Sequence, residues 1–137
     1  MTRVLADTGP LVAILSQNDH YHELCVKTLE DLPGPLLTCW PVITEAAWLL
    51  REYPMAIEKL LRSITDGFLE VFPVAGAESK GIADIMKRYA SLRPQFADVM
   101  LVYLAYRENI RTIFTLDRRD FSFYRTGRKG AFRIVPE

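Results

Sequence analysis

The chain has 137 residues, half of them hydrophobic, with 17 basic and 17 acidic side chains and two cysteines. At this length a folded chain buries roughly 68% of the surface its unfolded form exposes, so a core needs neither disulfides nor a structural metal. Cys25 and Cys39 form no CxxC and have no nearby His pair, which excludes a zinc finger and argues for a reducing compartment.

From the N-terminus, Arg3 to Ala6 reads as a short apolar strand closed by Asp7-Thr8-Gly9-Pro10. Leu11 to Leu15 follows as a short helix, with Pro10 suited to its first position. Asn18-Asp19 offers an N-cap for a helix over about His20 to Leu32, which Pro33-Gly34-Pro35 ends. Leu36 to Cys39 is a compact apolar strand. Trp40-Pro41 then turns into a helix carrying Ala46, Ala47, Leu49 and Leu50, and Tyr53-Pro54 breaks it before another helix to about Thr65.

Leu69 to Val74 is a third strand, and Ala77 to Ser91 a helix. Pro94 announces a helix running through Phe96 to about Arg107, with Asn109 as its C-cap. Arg111 to Thr115 is a fourth strand, and after a basic turn Phe132 to Val135 is a fifth. Strands that alternate with helices and are too apolar to have one wet face predict an α/β fold: a mainly parallel sheet of four or five strands, covered by helices on both sides. No linker, repeat or low-complexity stretch interrupts the chain, so residues 1–137 are expected to form a single domain.

Four acids stand in apolar surroundings. Asp7 follows Val4-Leu5-Ala6 and so sits at the carboxyl end of the first strand, where open α/β sheets place their ligand crevice. Glu45 lies within Val42-Ile43-Thr44-Glu45-Ala46-Ala47, Asp98 interrupts Phe96-Ala97-Asp98-Val99-Met100, and Asp117 closes Ile113-Phe114-Thr115-Leu116-Asp117. Each alone also has a structural reading, as a helix cap, a first-turn acid or a turn residue. Together, two strand ends and two helix starts deliver four carboxylates to one edge of a parallel sheet. Two carboxylates about 4 Å apart repel by roughly 1 kcal/mol in water and ~4 kcal/mol at an effective dielectric near 20, so such a cluster calls for a divalent cation. An all-oxygen site selects Mg²⁺ or Mn²⁺ over zinc.

These residues resemble the PIN-domain ribonucleases, especially the VapC-type toxins of prokaryotic toxin–antitoxin pairs, across essentially the whole chain. Leu5-Ala6-Asp7-Thr8-Gly9-Pro10-Leu11 looks like the family's opening acidic motif, Thr44-Glu45 the second, Ala97-Asp98 the third and Thr115-Leu116-Asp117 the fourth. The resemblance implies a three-layer α/β/α sandwich, a homodimer, an RNA substrate, and a cognate antitoxin protein whose C-terminal segment lies over the active site. It also implies that Asp7, Glu45, Asp98 and Asp117 line a metal site. On that basis Asp7, Asp98 and Asp117 are expected as direct or water-mediated ligands, and Glu45 as a ligand or a water-orienting group. In an extended backbone Thr115 shares a face with Asp117 and can hydrogen-bond a ligand carboxylate, water or phosphate. Thr8 can contact substrate from the first loop or cap the helix after it.

Charge is unevenly spread: residues 1–106 hold 9 Lys/Arg against 13 Asp/Glu, and residues 107–137 hold 8 against 4. Arg118, Arg119, Arg125, Arg128, Lys129 and Arg133 can therefore meet phosphates, with Phe121, Phe123 and Tyr124 as stacking faces between them, unless the segment is an ordinary solvated loop. Arg118 and Arg119 are the substrate-binding candidates. His20 and His22, two apart, do not share a helix face and receive no catalytic role. Trp40 and Trp48 are read as core or dimer contacts. The longest apolar run, Val99 to Tyr106, is far short of the ~18 residues of a membrane span, and Leu11 to Leu15 is too short for a signal core, so a cytoplasmic protein is expected. The alternative function is a non-catalytic RNA-binding protein of the same fold. A haloacid-dehalogenase-type phosphotransferase is disfavoured because Gly9 stands where its second acid belongs, and a receiver domain because the acids are dispersed.

Overall fold

The computed structural model describes residues 2–127 and 130–137. Five three-residue strands form one sheet: β1 (Val4–Ala6), β2 (Leu36–Thr38), β3 (Leu69–Val71), β4 (Thr112–Phe114) and β5 (Arg133–Val135). Their spatial order is β3-β2-β1-β4-β5, and every neighbouring pair is parallel. Leu5 in the central strand pairs with Leu37 on one side and Ile113 on the other. All residues of β1, β2 and β4 are buried, whereas the edge strands expose Glu70 and Arg133. That pattern is what apolar strands covered on both faces, with polar edges, require.

Among the described residues seven α-helices flank the sheet: α1 (Thr8–Leu15), α2 (His22–Glu30), α3 (Trp40–Leu49), α4 (Pro54–Thr65), α5 (Ser79–Arg88), α6 (Phe96–Glu108) and α7 (Arg118–Phe123). α1 packs against α2, α3 and α4, α6 against α3 and α5, and α7 against β5. The chain lays down β1, β2 and β3 in one direction, then returns through α5 and α6 to place β4 on the other side of β1. Strand order thus reverses between β1 and β4, which opens a crevice beyond their carboxyl ends.

The elements depart from the sequence reading where side chains override propensity. α1 starts at Thr8, not Leu11, because Asp7 caps it; Pro10 still falls in the first turn, where amides have no intrahelical acceptor. Asp19 accepts the Tyr21 amide at 2.8 Å in a turn of its own, which delays α2 to His22. β3 stops at Val71: the Phe72 amide makes one more bond to the Thr38 carbonyl, and Pro73 then has no N–H to continue. The helix expected over Ala77–Ser91 is α5 with a 3-10 turn at each end. Asn109 does cap α6, with φ 57°.

The basic segment between β4 and β5 is not simply a turn. It contains α7, and Phe121 within that helix and Tyr124 just after it are fully buried and so cannot be stacking faces, whereas Phe123 is exposed. Phe121 meets Tyr124 and Phe132 edge-on at ring separations of 5.1 and 5.5 Å, and Tyr124 meets Tyr89 at 5.0 Å. These apolar anchors offset the chain entropy lost in ordering a six-residue helix that would not form alone. Trp40 and Trp48 are exposed in the chain, not core. Cys25 and Cys39 are buried free thiols, and burial pushes the Cys39 thiol up to about 12. Arg128 and Lys129 lie outside the described residues.

If Phe121 seats α7, Phe121→Ala should lower unfolding free energy by about 3–4 kcal/mol, as truncation of a buried aromatic does. A urea midpoint within error of the parent would show that α7 is not anchored this way.

Candidate active site at the strand-order reversal

Asp7 leaves β1 with its own amide bonded to the Phe114 carbonyl of β4 at 2.9 Å. Its carboxylate accepts the Thr8 amide at 2.8 Å through Oδ1 and the Thr115 hydroxyl at 2.7 Å through Oδ2. Thr115 is fully buried one residue past β4, and its Oγ1 also accepts the Asp117 amide at 3.0 Å. Asp117 in turn caps α7, its Oδ1 accepting the Asp120 amide at 3.0 Å. One relay of bonds therefore runs from the end of β1 through the end of β4 into α7. Asp98 enters from the first turn of α6 and is buried beside the Tyr124 hydroxyl, while Glu45 comes from α3 and is half-buried.

These residues surround one open cleft of about 570 Å³, lined by Asp7, Thr8, Gly9, Glu45, Arg93, Gln95, Asp98, Leu116, Asp117 and Asp120. All four sequence-identified acids line it, as does Thr8, with Thr115 directly behind Asp7. Asp98, Asp117 and Asp120 each bring an oxygen within 4.8 Å of the other two. Asp120 is the acid that sequence reading missed: it stands three residues after Asp117, a same-face spacing only once the segment is known to be helical. Arg93 and Gln95 were missed too, because nothing local marks a residue flanking a proline as cleft lining. Arg118 and Arg119 lie on α7 outside the cleft, and Arg118 donates to the Pro136 carbonyl at 2.8 Å. His22 Nδ1 is 2.7 Å from the Ala13 carbonyl, and neither histidine lines the cleft.

The electrostatics follow from burying acids together. Burial raises the Asp7 pKa above the usual carboxylate range, aided by the charges of Glu45 and Asp117 and opposed by the bonds from Thr115 and Thr8. Burial, then the neighbouring Asp7, Asp117, Asp120 and Glu45, pushes Asp98 up to about 7. Asp120 is raised by burial and by Asp117, against a smaller opposing effect of the Arg119 charge. Among the described residues no basic side chain forms an ion pair with any of these acids. Thr8 Oγ1 is buried with no hydrogen-bond partner among them. An all-oxygen donor set, unneutralised carboxylates and an orphan hydroxyl in one cleft fit a hard divalent cation with retained waters.

Three comparisons bear on this cleft. A family model described as the PIN domain matches residues 4–129. Ribonuclease VapC26 of Mycobacterium tuberculosis is 30% identical over 135 residues, covering 97% of this chain and 100% of that protein. The crystal structure of Mycobacterium tuberculosis VapC20, described as a sarcin-ricin loop cleaving toxin, matches with a TM-score of 0.73 at 15% identity, over 80% of this chain and 86% of that one. That second likeness speaks to the fold.

Without metal, folded Asp98 keeps its proton to about pH 7, whereas the unfolded chain loses it near 3.8. The folded state then binds more protons between those values, and stability falls as pH rises through the window. In chelator, the melting temperature should be higher at pH 5 than at pH 8. Asp98→Asn should shrink that difference and raise the pH 8 value by about 3–6 °C. An unchanged pH 8 melting temperature in the variant would mean that Asp98 is not the strained acid.

Proposed function

The chain belongs to the PIN-domain family, and on that footing we propose that it is a metal-dependent endoribonuclease hydrolysing RNA phosphodiester bonds, the toxin of a toxin–antitoxin pair. The observation that carries this reading is the hydrogen-bonded Asp7–Thr115 pair set among Glu45, Asp98, Asp117 and Asp120 in one cleft at the strand-order reversal. Asp98, Asp117 and Asp7 would hold Mg²⁺ or Mn²⁺ directly or through water, with Asp120 beside them. When bound, such a cation supplies the positive charge that lowers the pKa of an attacking water and offsets charge on the attacked phosphate.

The protein's own groups supply the positioning. Thr115 fixes one Asp7 oxygen and, through the Asp117 amide, sets the turn that aims Asp117 into the cleft. The Asp120 amide holds the Asp117 carboxylate in that orientation. Glu45, which lines the same cleft, would serve as a ligand or orient water, and Thr8 Oγ1 is free to meet a phosphate oxygen or water. No side-chain nucleophile is required. Arg118 and Arg119 serve RNA outside the cleft. Homodimerisation, an antitoxin covering the cleft and a cytoplasmic setting belong to the same proposal; no described helix is long and apolar enough to cross a membrane. An RNA-binding protein without catalysis is the weaker reading, since it gives no use for buried, clustered acids that oppose anion binding.

Purified protein free of antitoxin should cut a pool of structured RNA in Mg²⁺ or Mn²⁺ into discrete products. Chelator should abolish them, and Asp7→Asn or Asp98→Asn should slow cleavage on the order of 10²–10³-fold. RNA binding with no products from the parent protein in any lane would favour the non-catalytic reading.

A further inference from the structure

The cleft described above has five carboxylates around it and one basic side chain, Arg93. An RNA phosphodiester entering it is anionic, so even with a divalent cation in place the walls repel the phosphates on either side of the attacked one. A fixed positive charge at the mouth would counter that repulsion. Arg93 is exposed, lines the cleft, and forms no ion pair among the described residues although five acids share the cleft with it. An arginine within reach of several carboxylates ordinarily folds down onto one of them. Arg93 stays outside ion-pair distance.

The backbone at Arg93 is itself unusual. Arg93 has φ 51° and ψ 56°, the left-handed region that a residue with a Cβ enters only against a steric cost. It also precedes Pro94, which ordinarily pushes the preceding residue toward extended backbone. The conformation is held by the Arg93 amide, which donates to the Ala90 carbonyl at 3.0 Å and closes the 3-10 turn Ala90–Leu92. Three residues later α6 begins, and its first turn carries Asp98. Arg93 is therefore set on the rim by the same segment that delivers an acid to the floor. Of the other described cations in the C-terminal segment, Arg118 is bonded to Pro136, Arg125 to the carbonyls of Ser122, Phe123 and Tyr124, and Arg133 to Glu137, while Arg119 stands beside Asp120 without lining the cleft.

On the ribonuclease reading, on which this rests, we infer that Arg93 holds a substrate phosphate at the mouth of the carboxylate cleft, adjacent to the one attacked. A guanidinium suits the task because its fork of N–H donors matches two phosphate oxygens at once. The contact is made in the ground state and in the transition state alike, so it acts on substrate binding more than on the chemical step.

Three variants separate side chain from backbone: Arg93→Ala, Arg93→Lys and Arg93→Gly. Binding of a labelled, randomised 20-nucleotide single-stranded RNA is measured by anisotropy in Mg²⁺, with Asp7→Asn present throughout to prevent cutting. Arg93→Ala and Arg93→Gly should weaken binding about three- to tenfold and reduce the slope of log K against log salt by about 0.7, one phosphate on a single strand. Arg93→Lys should keep most of the slope and recover part of the affinity. Against the cleavable pool, in the otherwise unaltered protein, Arg93→Ala should raise KM by a similar factor and leave kcat within about twofold. Arg93→Gly should melt about 2–4 °C higher than the parent by relieving the left-handed strain, so its lost affinity cannot come from unfolding.

An unchanged salt slope and KM in Arg93→Ala, in a protein that cleaves RNA, would overturn the role of Arg93 and leave the ribonuclease reading standing. A parent protein that neither cuts nor binds RNA would overturn both.

Discussion

Everything in this molecule is arranged around a carboxylate buried at the centre of a parallel sheet. Asp7 sits at the end of β1, the middle strand, and is almost wholly enclosed. An isolated charge there would cost several kcal/mol. The Thr115 hydroxyl and the Thr8 amide compensate part of that cost, and both come from backbone that β1 and β4 hold in register. The pairing of β1 with β4 is thus at once a structural bond and the means by which one acid is kept rigid, oriented and short of neutralising charge.

The strand order supplies the rest of the cleft. Because strand order reverses across the sheet between β1 and β4, the segments that follow these two strands diverge beyond their carboxyl ends. α6 then brings Asp98 to the opening and α3 brings Glu45. α7 is too short to be stable on its own, yet it carries Asp120 and is capped by Asp117. Its position depends on Phe121 and Tyr124 being driven into an aromatic cluster with Phe132 and Tyr89. Hydrophobic burial on one side of α7 thereby sets carboxylate geometry on the other.

Gathering acids in this way sets the fold against itself. Desolvation and mutual repulsion raise Asp7, Asp98 and Asp120 together, and none forms an ion pair among the described residues. Whatever relieves that repulsion, a proton or a divalent cation, binds the folded state more tightly than the unfolded chain and so stabilises it. Stability and readiness for cation are consequently linked through the same side chains.

The sequence by itself determined the strand–helix alternation, the burial of the central strands and the four acids, since apolar runs and strand-end acids are local patterns. It also located Asn109 as a left-handed cap, because short polar side chains tolerate that backbone. What it left undecided was long-range. Whether Phe121 and Tyr124 stack on ligand or fill a core depends on Phe132 and Tyr89, which local sequence does not place beside them. Mistaking α7 for a turn hid Asp120, whose spacing from Asp117 has meaning only on a helix. Only the tertiary structure decided which cation faces the cleft: it tied Arg118 to a carbonyl and put Arg93 on the rim, because charge position is set by the backbone that carries it and not by the count of basic residues in a segment.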